Sequence, residues 1–304
     1  APKMDSYNAK GELLERGGTF EGKSPPPSPP SSPPTVENHL GIKTLRLAQE
    51  RSSQLVGQVA WPRAHIPHGV KWSPDGTALL TVDEHSNAIA LIHPPHWSRE
   101  WTIDTRQTCH FQLTIPQSDS VWDYSWYPLM DRRNSTSCAI LSACRDLPMH
   151  LWDACNGSLR ASYAAYDHLD NLCPAYSNCF DPTGRRIYGG YERSIRVFDI
   201  TRPGRDCDIR LTSPGRKSKE GQRGIISCLD FSRDYSGLFA AGSFSGVTGL
   251  YVENSPIMVN LLGGHKGGVT QVRFSHNGLY LFTAARCDSS IICWDIRSSG
   301  DALC

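Results

Sequence analysis

The sequence has little of several features that mark special classes of protein. No run of about 18 apolar residues occurs in it, so we predict no membrane-spanning helix. Its net charge is only +1, from 31 basic and 30 acidic residues. A chain so balanced is not a uniformly polybasic binder of nucleic acid or membranes, and any such surface must be a local patch.

Signatures of catalysis and metal binding are also missing. The sequence contains no Gly-rich phosphate-binding loop after a strand, no Gly-x-Ser-x-Gly, no Cys-x-x-Cys and no His-x-x-x-His. The eleven cysteines are scattered, and no secretory signal precedes them, which indicates reduced thiols in a cytosolic or nuclear protein. We therefore expect no enzyme, no metal, no cofactor and no small-molecule substrate.

Proline dominates one part of the sequence. The stretch 23–37, KSPPPSPPSSPPTVE, holds seven prolines between Pro25 and Pro34, and such tracts favour extended polyproline II over helix or sheet. We predict that residues 1–53 are a disordered Pro/Ser-rich region. It is either a solvated tail or a docking and phosphorylation segment, since Ser24, Ser28 and Ser32 each precede a proline.

An internal repeat follows from about residue 54. Five segments each show an alternating run that ends in an aromatic and a turn, and the aromatics recur every 43 to 54 residues: Trp72, Trp126, Phe180, Phe231 and Phe274. Two further apolar runs follow each turn, which gives about four short strands per unit and no helical period. Sheets of this kind bury both faces only by packing radially around an axis.

The repeat length and the pair Gly-His…Trp-Asp in the fifth unit predict an all-β, WD-repeat β-propeller over residues 54–297. We place its blades near 67–93, 119–166, 167–212, 221–262 and 263–297, with a tail at 298–304. The early run 54–62 is typical of a strand that closes the ring.

A buried hydrogen-bond network is expected inside the blades. His265, Asp288 and Trp294 fit three of its positions in the fifth unit, and Thr283 is the weaker candidate for the hydroxyl. By alignment we place Asp146 and Trp152 in the network of the second unit and His168 in that of the third. All seven residues are interpreted as structural.

The connection 201–224 is the most basic part of the sequence. It is either an ordinary solvated loop or a patch that grips phosphate oxygens through guanidinium groups. The turns of the second and third units extend it by Arg145 and Arg193. The candidate RNA-binding residues are Arg202, Arg205, Arg216, Lys217, Lys219, Arg223, Arg145 and Arg193.

Longer strings are more specific than the WD pattern. DYSWYPLM, MHLWDACNGSLRASYAAYDHLDNL, RPGRDCDIR, GIISCLDFS and LLGGHKGGVT closely resemble the telomerase Cajal body proteins, the WD-repeat antisense-to-p53 family, over about residues 67–297. The resemblance implies a non-enzymatic scaffold that binds the CAB-box loop of small Cajal-body RNA and telomerase RNA. It also implies a place in the nucleus, in Cajal bodies, with a cytoplasmic pool compatible.

The same resemblance implies protein partners: dyskerin-containing box H/ACA particles, telomerase reverse transcriptase, coilin and the survival-of-motor-neuron complex. A protein-only WD-repeat adaptor, such as a ligase substrate receptor or signalling scaffold, remains the alternative. The family's propeller has seven blades, whereas five are found here, so we expect the sequence to be a C-terminally truncated fragment or splice product. An open ring of this kind predicts poor solubility and little RNA binding for the chain alone.

Overall fold

The computed structural model describes residues 58–59, 67–93, 108–109, 302–303 and 111–298, the last range without 216, 217, 219, 235 and 256. The predicted disordered region, with Ser24, Ser28 and Ser32, lies outside these residues. Arg216, Lys217 and Lys219 also lie outside them.

Short antiparallel strands make up most of the regular structure in the described part of the chain. In chain order they begin with β1 (Gln58–Val59), β2 (Pro67–Trp72), β3 (Leu79–Asp83), β4 (Ala88–Ile92), β5 (Thr108–Cys109), β6 (Phe111–Pro116), β7 (Val121–Trp126), β8 (Ala139–Cys144), β9 (Met149–Asp153), β10 (Leu159–Tyr163), β11 (Ala165–Tyr166) and β12 (Leu172–Cys173). They continue with β13 (Ser177–Phe180), β14 (Arg186–Tyr191), β15 (Ser194–Asp199), β16 (Asp208–Leu211), β17 (Ile226–Phe231), β18 (Leu238–Ser243), β19 (Val247–Val252), β20 (Met258–Gly263), β21 (Val269–Phe274), β22 (Tyr280–Ala285) and β23 (Ile291–Asp295). One 3-10 turn, Ser135–Ser137, lies among them.

These strands form five propeller blades, which confirms the predicted fold. The sheet orders are β2-β3-β4-β6, β7-β8-β9-β10, β13-β14-β15-β16, β17-β18-β19-β20 and β21-β22-β23. The fifth blade has three strands in the described residues, and Ala302 forms a bridge to Trp294 of β23. The outer strand of the first blade, β6, lies beyond the predicted bound at residue 93.

Two small sheets lie outside the blades. The hairpin of β11 and β12 follows the outer strand of the second blade and was not predicted. In the predicted closing run 54–62, only β1 is described. It pairs in parallel with β5, Gln58 opposite Thr108, rather than with a strand of the fifth blade.

Glycine-containing turns join the first two strands of four blades. Gly76, Gly184, Gly237 and Gly278 have φ between +69° and +73°, a left-handed conformation that costs a residue with a Cβ atom free energy. Gly184 also lies under Tyr127, and a Cβ there would come within 2.5 Å of the tyrosine ring. The recurring Gly of the sequence repeat therefore serves turn geometry.

Hydrophobic cores lie between successive blades rather than within them. Four clusters join the first blade to the second, the second to the third, the third to the fourth and the fourth to the fifth. Middle strands such as β8 are buried along their whole length because both faces contact a neighbouring blade. The repeat aromatics Trp126, Phe180 and Phe231 are buried in these cores, whereas Trp72 is 50% exposed.

Carboxylates on the innermost strands also link blades. Asp123 accepts from Lys71 Nζ of the first blade at 2.8 Å and from the backbone N–H of Asn178 in the third at 2.9 Å. Asp230 accepts from the N–H of Phe274 in the fifth blade at 2.7 Å and pairs with Arg273. Each contact fixes the register of one blade against the next.

Candidate nucleic-acid interface

The network predicted in the fifth blade is present as a chain of hydrogen bonds. The indole Nε1–H of Trp294 donates to Thr283 Oγ1 at 2.9 Å, and Thr283 Oγ1 lies 2.8 Å from His265 Nε2. His265 Nδ1 lies 2.9 Å from Asp288 Oδ2. Because the carboxylate only accepts, Nδ1 carries the proton and the threonine hydroxyl donates to Nε2. Every member is satisfied, so the network stabilises the blade.

Two other blades have a glutamine in place of the histidine. In the second blade Trp152 Nε1 donates to Ser142 Oγ at 2.9 Å, and that hydroxyl donates to Gln117 Oε1 at 3.3 Å. In the fourth blade the fully buried Gln222 takes the place of the histidine and accepts from Tyr251.

Two residues predicted to belong to the network are exposed instead. His168 is exposed in the turn of the β11–β12 hairpin, because the residues before β13 form this hairpin instead of a direct connection. Asp146 lies in the turn between β8 and β9, as aligned, but it is exposed and has φ +54°.

Tight turns define one end of the propeller, which we name the upper face. Here the second and third strands of each blade are joined through a residue in the left-handed conformation, one per blade: Asn87, Asp146, Arg193, Gly246 and Cys287. The connections that lead into the first strand of each blade reach the same end. The N–H of Arg145 donates to Ser120 O, and that of Phe244 donates to Ile225 O.

Three of the predicted basic residues lie on this face. Arg145 and Arg193 are in the turns of the second and third blades, and the N–H of Arg193 donates to the carbonyl of Gly224, next to Arg223. Arg145 is partly neutralised, since its Nη2 lies 2.7 Å from Asp119, and this contact lowers the pKa of the Asp119 carboxyl. Within the described residues neither Arg193 nor Arg223 forms an ion pair, which leaves them the stronger candidates for phosphate.

Arg202 and Arg205 lie apart from these residues, at the outer edge of the propeller. The loop that carries them hydrogen-bonds the outer strand β10 through Gly204. Arg205 pairs with Asp170 and stacks 4.4 Å from the ring centre of Tyr166, and Arg202 lies 4.0 Å from Asp206. Acidic partners thus engage both guanidinium groups. The basic segment of the sequence divides into two separate surfaces.

Aromatic side chains on the upper face were not identified from the sequence. Trp122 and Tyr176 are stacked with ring centroids 4.7 Å apart and planes 6° from parallel. Phe244 is 37% exposed, and the Arg286 guanidinium lies 4.4 Å from its ring centre. Trp122 is the second residue of β7, Tyr176 directly precedes β13, and Phe244 lies in the turn after β18. Repeat register was the signal that could have separated them from core residues.

Neither a metal site nor a membrane span is found in the part of the chain that the structure describes. No cluster of three His, Cys, Asp or Glu side chains is arranged for a metal ion. No described helix has the length and hydropathy to span a bilayer. The groups described on the upper face that could contact a ligand are guanidinium groups, aromatic rings and carboxylates.

Comparison with known proteins agrees with this architecture. The family described as WD domain, G-beta repeat matches residues 256–295, which cover the outer strand of the fourth blade and the three strands of the fifth. Telomerase Cajal body protein 1 of Mus musculus is 40% identical over 237 residues, 77% of this chain and 43% of the relative.

Two other relatives match over similar lengths. Telomerase Cajal body protein 1 of Homo sapiens is 40% identical over 236 residues, 77% of this chain and 42% of the relative. The Drosophila melanogaster homolog is 34% identical over 250 residues, 77% and 43% respectively. The chain spans less than half the length of these relatives. On its blades and on these identities, the chain is a WD-repeat homologue of the telomerase Cajal body proteins.

Proposed function

We propose that this chain is a non-enzymatic scaffold whose upper face binds RNA of the Cajal body, both small Cajal-body RNA and telomerase RNA. The proposal departs from the expectation that an open ring binds little RNA, since it requires that five blades bind with measurable affinity. The observation that carries the proposal is the adjacency of Arg193 and Arg223 on that face. They come from two successive blades, and the backbone hydrogen bond between Arg193 and Gly224 brings them together. Guanidinium groups bind phosphate oxygens in two-point contacts. Arg223 is exposed and Arg193 half-buried, and neither forms an ion pair among the described residues, so the pair suits a nucleic-acid backbone.

Charge distribution supports the upper face over the outer edge. Arg202 and Arg205 are more exposed than Arg193, but carboxylates lie beside them. An approaching phosphate would have to displace Asp170 or Asp206 there. At Arg193 and Arg223 no such competition occurs among the described residues.

We also propose a cellular role and protein partners for this chain, based on its similarity to the telomerase Cajal body proteins. As a scaffold it would gather box H/ACA particles with dyskerin, telomerase reverse transcriptase, coilin and the survival-of-motor-neuron complex, in nuclear Cajal bodies. A propeller fits that task because its strands hold many turns and connections rigidly at one end.

Salt-dependent RNA binding tests the proposal. The full 304-residue chain is titrated against a fluorescent CAB-box hairpin at several salt concentrations, beside a hairpin with a mutated CAB loop. We expect the affinity to fall steeply with salt and to drop with the mutated loop. Arg193→Glu with Arg223→Glu should reduce the log–log salt slope by about 1.4, at about 0.7 for each single-strand phosphate contact.

Arg202→Glu with Arg205→Glu is the matched control, since it also replaces two arginines by glutamates, at the outer edge. Its binding should stay within about twofold of the wild type, because a rim charge outside the contact changes affinity little. Undetectable binding of the CAB-box hairpin by the folded wild-type chain would contradict the proposal and favour a protein-only adaptor. Equal losses in the control and in Arg193→Glu with Arg223→Glu would place the interface elsewhere.

A further inference from the structure

The stacked pair Trp122 and Tyr176 occupies equivalent positions in neighbouring blades. Each residue lies four positions before the repeat aromatic of its unit, Trp126 and Phe180 respectively. In the second blade this position is the bulge of the first strand, where the register shifts between Val121 and Asp123. A bulge re-aims its side chain relative to the sheet.

The fourth and fifth blades show what the fold itself needs at this position. They carry Ser227 and Thr270, also at the bulge of the first strand. Both are small, and their hydroxyls bond to backbone carbonyls, Ser227 to Val269 and Thr270 to Ala284. In these two blades the position is filled by a serine or a threonine, so blade geometry does not require an aromatic there.

The packing of Trp122 and Tyr176 also indicates that the blade cores do not require them. Neither Trp122 nor Tyr176 belongs to any of the four clusters between blades. Both remain partly exposed, and their rings contact each other across the boundary of the second and third blades. A large rigid aromatic surface at a solvent-exposed edge is the feature on which nucleobases stack.

The charged groups near the stacked pair indicate where a base and where a phosphate would bind. Burial raises the pKa of the Tyr176 hydroxyl, and the nearby carboxylates of Glu192 and Asp146 raise it further. These carboxylates would repel a phosphate and accept hydrogen bonds from the N–H groups of a base. Arg193 follows Glu192 directly in the chain, and Arg223 lies beside it.

We propose that Trp122 and Tyr176 form a stacking platform for one unpaired nucleobase, with phosphates of the flanking nucleotides on Arg193 and Arg223. The inference rests on the proposed RNA-binding function and assigns the position of a base within it. A basic peptide could also stack on aromatics between carboxylates. The two arginines disfavour that ligand by like-charge repulsion.

The test replaces the pair by the residues that other blades carry. Trp122→Ser with Tyr176→Thr should leave thermal unfolding of the full chain close to wild type. It should weaken binding of a CAB-box hairpin by about tenfold to a hundredfold, the loss expected when one stacked base is released. The salt slope should stay unchanged, since no phosphate contact is removed. Trp122→Phe with Tyr176→Phe keeps two rings and should retain most of the affinity.

A fluorescent base supplies a second readout. With 2-aminopurine at successive loop positions, one position should change its emission on binding to the wild type and not on binding to the Ser/Thr variant. Unchanged affinity and emission in that variant, with normal binding by the wild type, would overturn this inference alone. A loss of binding to an oligo-lysine peptide with RNA binding intact would overturn it in favour of a protein ligand. Failure of the wild type to bind RNA would overturn both proposals.

Discussion

In the fourth blade the hydroxyl of Tyr251 donates to Oε1 of Gln222 at 3.0 Å, in the place where the fifth blade uses tryptophan, threonine and histidine. The amide Nε2 of Gln222 donates in turn to the carbonyls of Ala241 at 2.6 Å and Val247 at 3.1 Å. One glutamine thus joins polar groups of two strands, β18 and β19, within a fully buried site. The fourth blade therefore keeps a buried hydrogen-bond network at this position but builds it from an amide instead of an imidazole.

Replacing Gln222 should therefore destabilise the fourth blade. Gln222→Leu keeps a similar volume but leaves a tyrosine hydroxyl and two carbonyls with fewer partners, at about 1–3 kcal/mol for each buried group left unsatisfied. Urea unfolding of the full chain measures the loss. Tyr251→Phe in the Gln222→Leu background removes the stranded hydroxyl and should recover part of the free energy of unfolding. A Gln222→Leu protein as stable as wild type would show that water satisfies these groups.

Thr283 should be similarly sensitive in the fifth blade. It is 1% exposed and links the indole of Trp294 to the imidazole of His265. Thr283→Val has nearly the same shape but no hydroxyl, and it should lower the free energy of unfolding by about 1–3 kcal/mol. Thr283→Ser retains the oxygen and should lose less. Equal losses in the two variants would assign the effect to packing of the methyl group instead.

Asp75 should contribute to acid sensitivity. Burial acts to raise its pKa, but hydrogen bonds from Ser73, Thr77 and Arg132 outweigh burial and lower the pKa from 3.8 to about 2. Because the folded pKa is the lower one, its stabilisation is present above pH 4 and is lost as the pH falls towards 2. The stability difference between wild type and Asp75→Asn should be constant near neutral pH and shrink across that acid range. A difference that does not change with pH would exclude the carboxylate as its cause.

Exposed cysteines should react faster with alkylating reagents than buried ones. Cys155 and Cys287 are exposed, whereas burial raises the pKa of Cys144 to about 11 and that of Cys228 to about 12. Since the thiolate is the nucleophile, native protein at neutral pH should be alkylated at the exposed pair first. Mass spectrometry after iodoacetamide treatment, with a urea-unfolded sample as control, measures the order. Rapid alkylation of Cys228 in the native protein would show that its blade opens locally.

The architecture could be predicted from the sequence because the blades share one pattern of strands, turns and buried residues. An alternating first strand ends in an aromatic, a glycine turn follows, and two apolar strands are buried on both faces. The outer strand β6 of the first blade was missed because β4 and β6 are separated by an atypically long connection. The β11–β12 hairpin was missed for the same reason, since an insertion between blades follows no repeat.

The candidate site was less readable. A run of basic letters at 201–224 suggested one patch, yet Gly204 holds part of it against β10 while Arg223 sits by the turn of Arg193. Which basic side chains share a surface depends on the three-dimensional fold and not on how close they are in the sequence. Gln117 and Gln222 were missed because an amide can replace a histidine without leaving a motif. Trp122 and Tyr176 share a position four residues before the repeat aromatic, but only the structure shows that their rings stack on each other outside the cores.

The left-handed turn at Arg193 joins fold stability to ligand binding. Its φ of +56° is a conformation that glycine adopts without strain, and the fourth blade uses Gly246 at the corresponding turn. Arg193→Gly should therefore raise the free energy of unfolding by about 1 kcal/mol while it weakens RNA binding. Arg193→Ala would lose the same guanidinium but keep the strain. If both expectations hold, this turn is a point where the chain gives up stability for activity, and a screen for thermostable variants would select against the proposed function.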